Sequence, residues 1–124
     1  MYKAGTAVEV LNLRGKLPKE VYLNALRLAT ILDGHYGEGR DVDNDDGGII
    51  LFVERSDDLD EIGRRYMRLD ENRHESVHFV VCEGEDYVDV LFLTHNDFGI
   101  NVFIPVSLAP ETLLQEARRN PRMT

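Results

Sequence analysis

Cysteine is almost absent from this chain: Cys82 is the only one in 124 residues. An intrachain disulfide is therefore excluded, and the fold does not depend on an oxidising compartment. Long hydrophobic runs are missing too. No window approaches the roughly 20 apolar residues needed to span a bilayer. The opening Met1-Tyr2-Lys3-Ala4-Gly5-Thr6 lacks the apolar core of a signal peptide. The expectation is a soluble cytoplasmic protein with no membrane partner. Positive charge is in short supply: 14 Lys and Arg stand against 23 Asp and Glu, a net −9. That balance argues against direct binding to nucleic acid or to anionic membranes. Repeats, linkers and low-complexity segments are lacking as well, so one domain over residues 1–124 is the natural reading.

What is present begins with enough apolar matter for a core. The 43% apolar share and ten aromatics argue against disorder. A chain of this length buries roughly two-thirds of its unfolded surface. The charge is then unevenly spread. Residues 33–61 hold eleven acids (Asp33, Glu38, Asp41, Asp43, Asp45, Asp46, Glu54, Asp57, Asp58, Asp60, Glu61) and two bases, Arg40 and Arg55. Those residues alone carry −9, and the other 95 residues balance twelve acids against twelve bases. The densest part is Asp41-Val42-Asp43-Asn44-Asp45-Asp46, closed by Gly47-Gly48. Such a segment repels itself unless a cation, a basic partner or bulk water screens it.

Along the chain, the β-branched Val8 and Val10 flanking Glu9 suggest a strand over residues 6–13, broken by Gly15. From Pro18 to Asp33 the period is helical. Val21, Ala25, Leu28 and Leu32 form one row and Tyr22, Leu26 and Ala29 the next, with a stop at Asp33-Gly34. Residues 34–48 read as a long loop. The run Ile49 to Val53 reads as a buried strand. Ser56 or Asp57 should cap a second helix, with Asp57, Asp58, Asp60 and Glu61 near the positive end of its dipole and Leu59, Ile62, Tyr66 and Leu69 as its buried row. Residues 76–82 and 87–94 form a hairpin. With Gly84-Glu85 as the turn, Val77 faces Phe92, Phe79 faces Val90 and Val81 faces Val88. The opposite face, with His78, Val80, Asp89 and Leu91, is mixed, and either the last helix covers it or a second copy does. A return through residues 98–104 ends at Pro105, which stops that strand or sets it at an edge. Pro110 opens a last helix from Glu111 to about Arg119, and the basic residues 118–124 read as a frayed tail. The expected fold class is α+β: a mixed four- to five-stranded sheet with a C-terminal antiparallel meander and about three helices packed on it.

Motifs for chemistry are sparse. Asp41, Asp43 and Asp45 alternate as calcium-loop ligands do. Counting from Asp41, however, puts Asp46 where the turning glycine belongs and Phe52 where the bidentate glutamate belongs. A divalent site for Ca²⁺ or Mg²⁺ built from Asp41, Asp43, Asp45, Asp46 and Glu54, with His35 near, is the alternative reading of the cluster, and a metal-dependent hydrolase its enzymatic form. His74 and His78 have i, i+4 spacing, which converges only on a helix, and His78 falls in a strand. His95 sits in a turn with Asn96 and Asp97 and reads as an ordinary surface residue. Cys82 reads as a small buried hydrophobe. Gly37-Glu38-Gly39-Arg40 lacks the Lys-Ser/Thr of a phosphate loop and is ringed by acids. The expectation is a small non-catalytic binding protein that docks a basic-faced partner through Glu38, Asp41, Asp43, Asp45 and Asp46 in the 38–48 loop. Closely spaced carboxylates could imitate a phosphate row and so occupy a DNA-binding cleft. A homo-oligomeric subunit joined through the meander face is the third expectation.

Overall fold

The computed structural model describes residues 1–37, 48–67, 73–93 and 99–119. Their order is β1 (Tyr2–Ala4), α1 (Ala7–Leu11), α2 (Lys19–Tyr36), β2 (Ile49–Phe52), α3 (Leu59–Ile62), β3 (Arg73–Val80), β4 (Tyr87–Leu93), β5 (Gly99–Pro105) and α4 (Glu111–Arg119). A π-helical turn, Gly63–Met67, continues α3. The strands form one mixed sheet in the order β1-β2-β5-β4-β3. Only β2 and β5 run parallel; the other neighbours are antiparallel. The α+β class, the mixed sheet and the closing meander are as the sequence indicated.

Helices cover both faces of the sheet, and two cores result. On one face Leu51, Val53, Val77, Val88, Val90, Phe92, Val102 and Ile104 pack with Ile62 of α3 and with Leu113, Leu114 and Ala117 of α4. On the other, Ala4, Ile50, Phe52 and Phe103 pack with Val10 of α1 and with Val21, Ala25 and Ala29 of α2. The β2 run is buried at every position because it has a core on each side. Phe52 and Phe103 stack across the parallel pair, with ring centroids 5.6 Å apart. Each large side chain removed from water here stabilises the fold by roughly 1.5–3 kcal/mol.

The segment from Thr6 is a helix, not a strand. Thr6 Oγ1 accepts the Glu9 N–H at 3.2 Å, and Glu9 Oε1 accepts the Thr6 N–H at 3.0 Å, a reciprocal capping box. Asp33 of α2 accepts the Ala7 N–H at 3.1 Å and serves a further orphan donor. The alternation that suggested a strand does not survive as a burial pattern: Val8 is 67% exposed and Val10 fully buried, where a strand would set both on one face. The first strand is the shorter Tyr2–Ala4, paired with β2.

Helix α2 begins one residue after Pro18, which holds the N-cap position, and runs a turn past Asp33-Gly34. It ends where Gly37, at φ 99°, donates its N–H to Asp33 O at 2.9 Å. The second helix is capped by Asp58, whose Oδ1 accepts from the Asp60 and Glu61 N–H groups at 3.0 and 3.3 Å; neither Ser56 nor Asp57 is the cap. It keeps α-geometry only to Ile62, and the wider π turn then changes the phase of its faces. Leu69, the end of the expected buried row, lies outside the described residues, as does the side chain of Tyr66.

In the hairpin the pairing is Val77 with Val90, Phe79 with Val88 and Val80 with Tyr87, a slip of two residues from a Gly84-Glu85 turn. Strand periodicity is two, so the slip keeps every side chain on its expected face. The connection is longer because Asp86 Oδ1 accepts the Cys82 N–H at 3.1 Å and closes a loop, with Gly84 at φ 102°. Val81 is expelled from the sheet and is 56% exposed. Strand β5 does end at Pro105, but it is the central strand, not an edge. Helix α4 spans the expected residues, so Arg118 and Arg119 are helical and not part of a frayed tail; residues 120–124 lie outside the described residues. It packs on the apolar face of the meander, not the mixed one. On that mixed face, the side of α2, Ser76, His78, Leu91 and Leu93 stay half-exposed.

Candidate functional site

The acidic segment joins Gly37 to Gly48, and at both of these roots the absence of a side chain matters. Gly37 supplies the left-handed backbone that stops α2. Gly48 lies under Leu32: a Cβ there would sit 2.5 Å from Leu32 Cδ2. Leu32 precedes Gly37 by five residues, about 7.5 Å along the helix axis. The end of α2 and the start of β2 are therefore packed side by side. The ten residues between the roots hold Glu38, Asp41, Asp43, Asp45 and Asp46 against Arg40 alone. Residues 38–47 lie outside the described residues, and with them these five candidate partner-binding acids, four of which, Asp41, Asp43, Asp45 and Asp46, are also candidate metal ligands. His35, the suggested accessory ligand, is in the last turn of α2 with its ring edge-on to Tyr36 at 4.5 Å. His95 lies outside the described residues.

Glu54, the sixth candidate, lies beyond the other end of β2, roughly 20 Å of extended chain from Gly48. It belongs to a second acidic group. The Met1 ammonium is 2.9 Å from Asp57 Oδ2 and 3.7 Å from Glu54 Oε1. Asp57 Oδ2 also accepts the Glu54 N–H at 2.8 Å. Burial works to raise the Asp57 carboxyl, but the Glu54 N–H and the ammonium outweigh it and hold the group below the usual carboxylate range. A cleft of about 170 Å³ is lined here by Met1, Asp57, Asp58, Glu61, Ile62 and Arg65. Among the described residues, no three of His, Cys, Asp and Glu gather in a group that could hold a metal ion.

A clasp at the same end of the sheet joins three loops. Arg55 Nε donates to Glu85 Oε2 at 2.6 Å, and Ser107 Oγ donates to Glu85 Oε1 at 2.5 Å. The Arg55 hydrogen bond, then that of Ser107, holds Glu85 below the usual carboxylate range, and Glu85 raises Arg55 in turn. Both carboxylate oxygens are engaged, so the clasp positions loops and offers no open acid or base. Burial pushes the Cys82 thiol up, which disfavours the nucleophilic thiolate and fits its reading as a small hydrophobe.

His74 and His78 do not converge. His74 Nε2 meets Glu116 Oε2 of α4 at 2.6 Å, with its ring edge-on to Phe92. His78 stands on β3 directly opposite Asp89 of β4. Asp89 and Asn101 are the polar residues buried within the sheet, 5% and 8% exposed. A lone Asp within the apolar run Tyr87-Val88-Asp89-Val90-Leu91-Phe92-Leu93 was the sequence signal for that polar spot, and the slipped register gives it His78 as its neighbour in place of Val80. No helix among the described residues is long and apolar enough to cross a membrane. Comparison with protein-family models, with curated proteins and with solved structures finds no match.

Proposed function

We propose that this chain is a small, non-catalytic binding protein that docks a basic-faced protein partner through the acidic 38–48 segment. One observation supports this reading: among the described residues, the fold employs the other acids of the 33–61 stretch in local hydrogen bonds, an ion pair and helix-dipole positions. Asp33 serves the start of α1, Asp57 the turn after β2, and Asp58 caps α3. Asp60 and Glu61 stand in the first turn of that helix, where the dipole favours acids. Glu54 pairs with the N-terminal ammonium. The remaining five fall within residues 38–46, and with Arg40 they carry −4 between Gly37 and Gly48. A cluster of like charge steers an oppositely charged partner and helps set its orientation.

The test is to immobilise the wild type and the D41N/D43N/D45N/D46N variant, challenge both with cell extract, and elute with rising salt. The reading expects a basic protein, identified by mass, that is retained by the wild type alone and released as salt screens the contact. Equal retention on both, or release that ignores salt, overturns it. A melt in Ca²⁺ or Mg²⁺ at matched ionic strength separates the metal alternative. Saturation at a hundred times the dissociation constant would add about 2.7 kcal/mol to the wild type and nothing to the variant.

A further inference from the structure

We draw no further inference here: the strongest candidate, the half-exposed strip of Ser76, His78, Leu91 and Leu93 on the α2 side of strands β3 and β4 beside the buried Asp89 and Asn101, carries nothing because nothing in the structure shows what covers it.

Discussion

Beyond the C-terminal end of β2, Asp57 takes the Glu54 N–H and the N-terminal ammonium, and Asp58 takes two orphan N–H groups of α3. Before its N-terminal end, five acids stand between Gly37 and Gly48, while α2 is capped by Gly37, whose N–H donates to Asp33 O, and β2 is paired by β1 and β5. The two groups belong to one acidic stretch of sequence, yet a four-residue buried strand divides them. The first is accounted for by local stability. Helix dipoles and unsatisfied N–H groups recruit carboxylates whatever the protein does. The second lies outside the described residues, and its carboxylates, close together in sequence, repel one another unless a cation, a partner or water screens them. Acid content alone merges the two groups; the hydrogen bonds of Asp57 and Asp58 assign the first to the fold.

The contrast can be broken by mutation. The largest effect expected is on binding. Neutralising Asp41, Asp43, Asp45 and Asp46 to Asn should weaken the salt-sensitive partner by about 2 kcal/mol, since exposed ion pairs each contribute up to about 1. That is roughly 30-fold in dissociation constant, readable by titration calorimetry once the partner is in hand. The same variant should melt no lower than the wild type. A clear loss of stability would show that these acids also serve the fold.

Next comes the root of the segment. Gly48→Ala puts a methyl into Leu32, and overpacking of this kind costs about 1–3 kcal/mol. Leu32 is half-buried and can turn aside, which favours the lower part of that range. In a Leu32→Ala background the Gly48→Ala penalty should shrink. Denaturant melts of the four proteins give the coupling directly, and additive costs would mean the two elements do not press together as described.

A smaller effect compares one acid from each group. Asp58→Ala removes the α3 cap and should cost about 1 kcal/mol, near 4 °C in melting temperature for a domain of this size. Asp43→Ala should stay within about 0.5 kcal/mol of the wild type. Equal costs in thermal melts would erase the distinction between the groups.

The smallest effect is in acid. Asp57 and Glu85 are both held below their ordinary range in the folded protein. A depressed folded-state pKa means the unfolded chain takes up the proton first. The stability they contribute is thus complete above about pH 5 and is lost as pH falls through their folded values. Asp57→Asn and Glu85→Gln should each flatten the acid limb of a melting temperature against pH curve. An unchanged limb would mean that neither the ammonium contact nor the Arg55 clasp holds in solution.

Much of this frame was legible in the residues. The apolar rows of α2, the β-branched run of β2 and the Pro110 start of α4 are strong periodic or conformational signals, and each element stands where the pattern put it. The errors share one cause: a local pairing outvoted the pattern. Thr6 and Glu9 exchange hydrogen bonds and make a helix where Val8 and Val10 read as a strand. Asp86 captures the Cys82 N–H and lengthens a turn that Gly84-Glu85 could have made in two residues. The cap at Asp58 in place of Ser56 or Asp57 is a third case. The candidate site was legible as composition only. Five of its six named acids fall in 38–47, and the sixth, Glu54, is bound up with the N-terminus at the far end of β2.

The place of β5 has a consequence for how the chain is assembled. It is the middle strand, and it is the last strand made: 46 residues separate Phe52 at the end of β2 from Gly99 at the start of β5. Until it arrives, β1-β2 and β3-β4 are two separate hairpin-like pieces, each with an open edge where β5 will lie. Loop-closure entropy must be overcome before their joining is rewarded, which slows folding relative to a chain whose neighbours in sequence are neighbours in the sheet. During synthesis the apolar Ile49-Ile50-Leu51-Phe52 strand waits for its parallel partner, and that interval is when an unpaired edge is most open to the wrong strand.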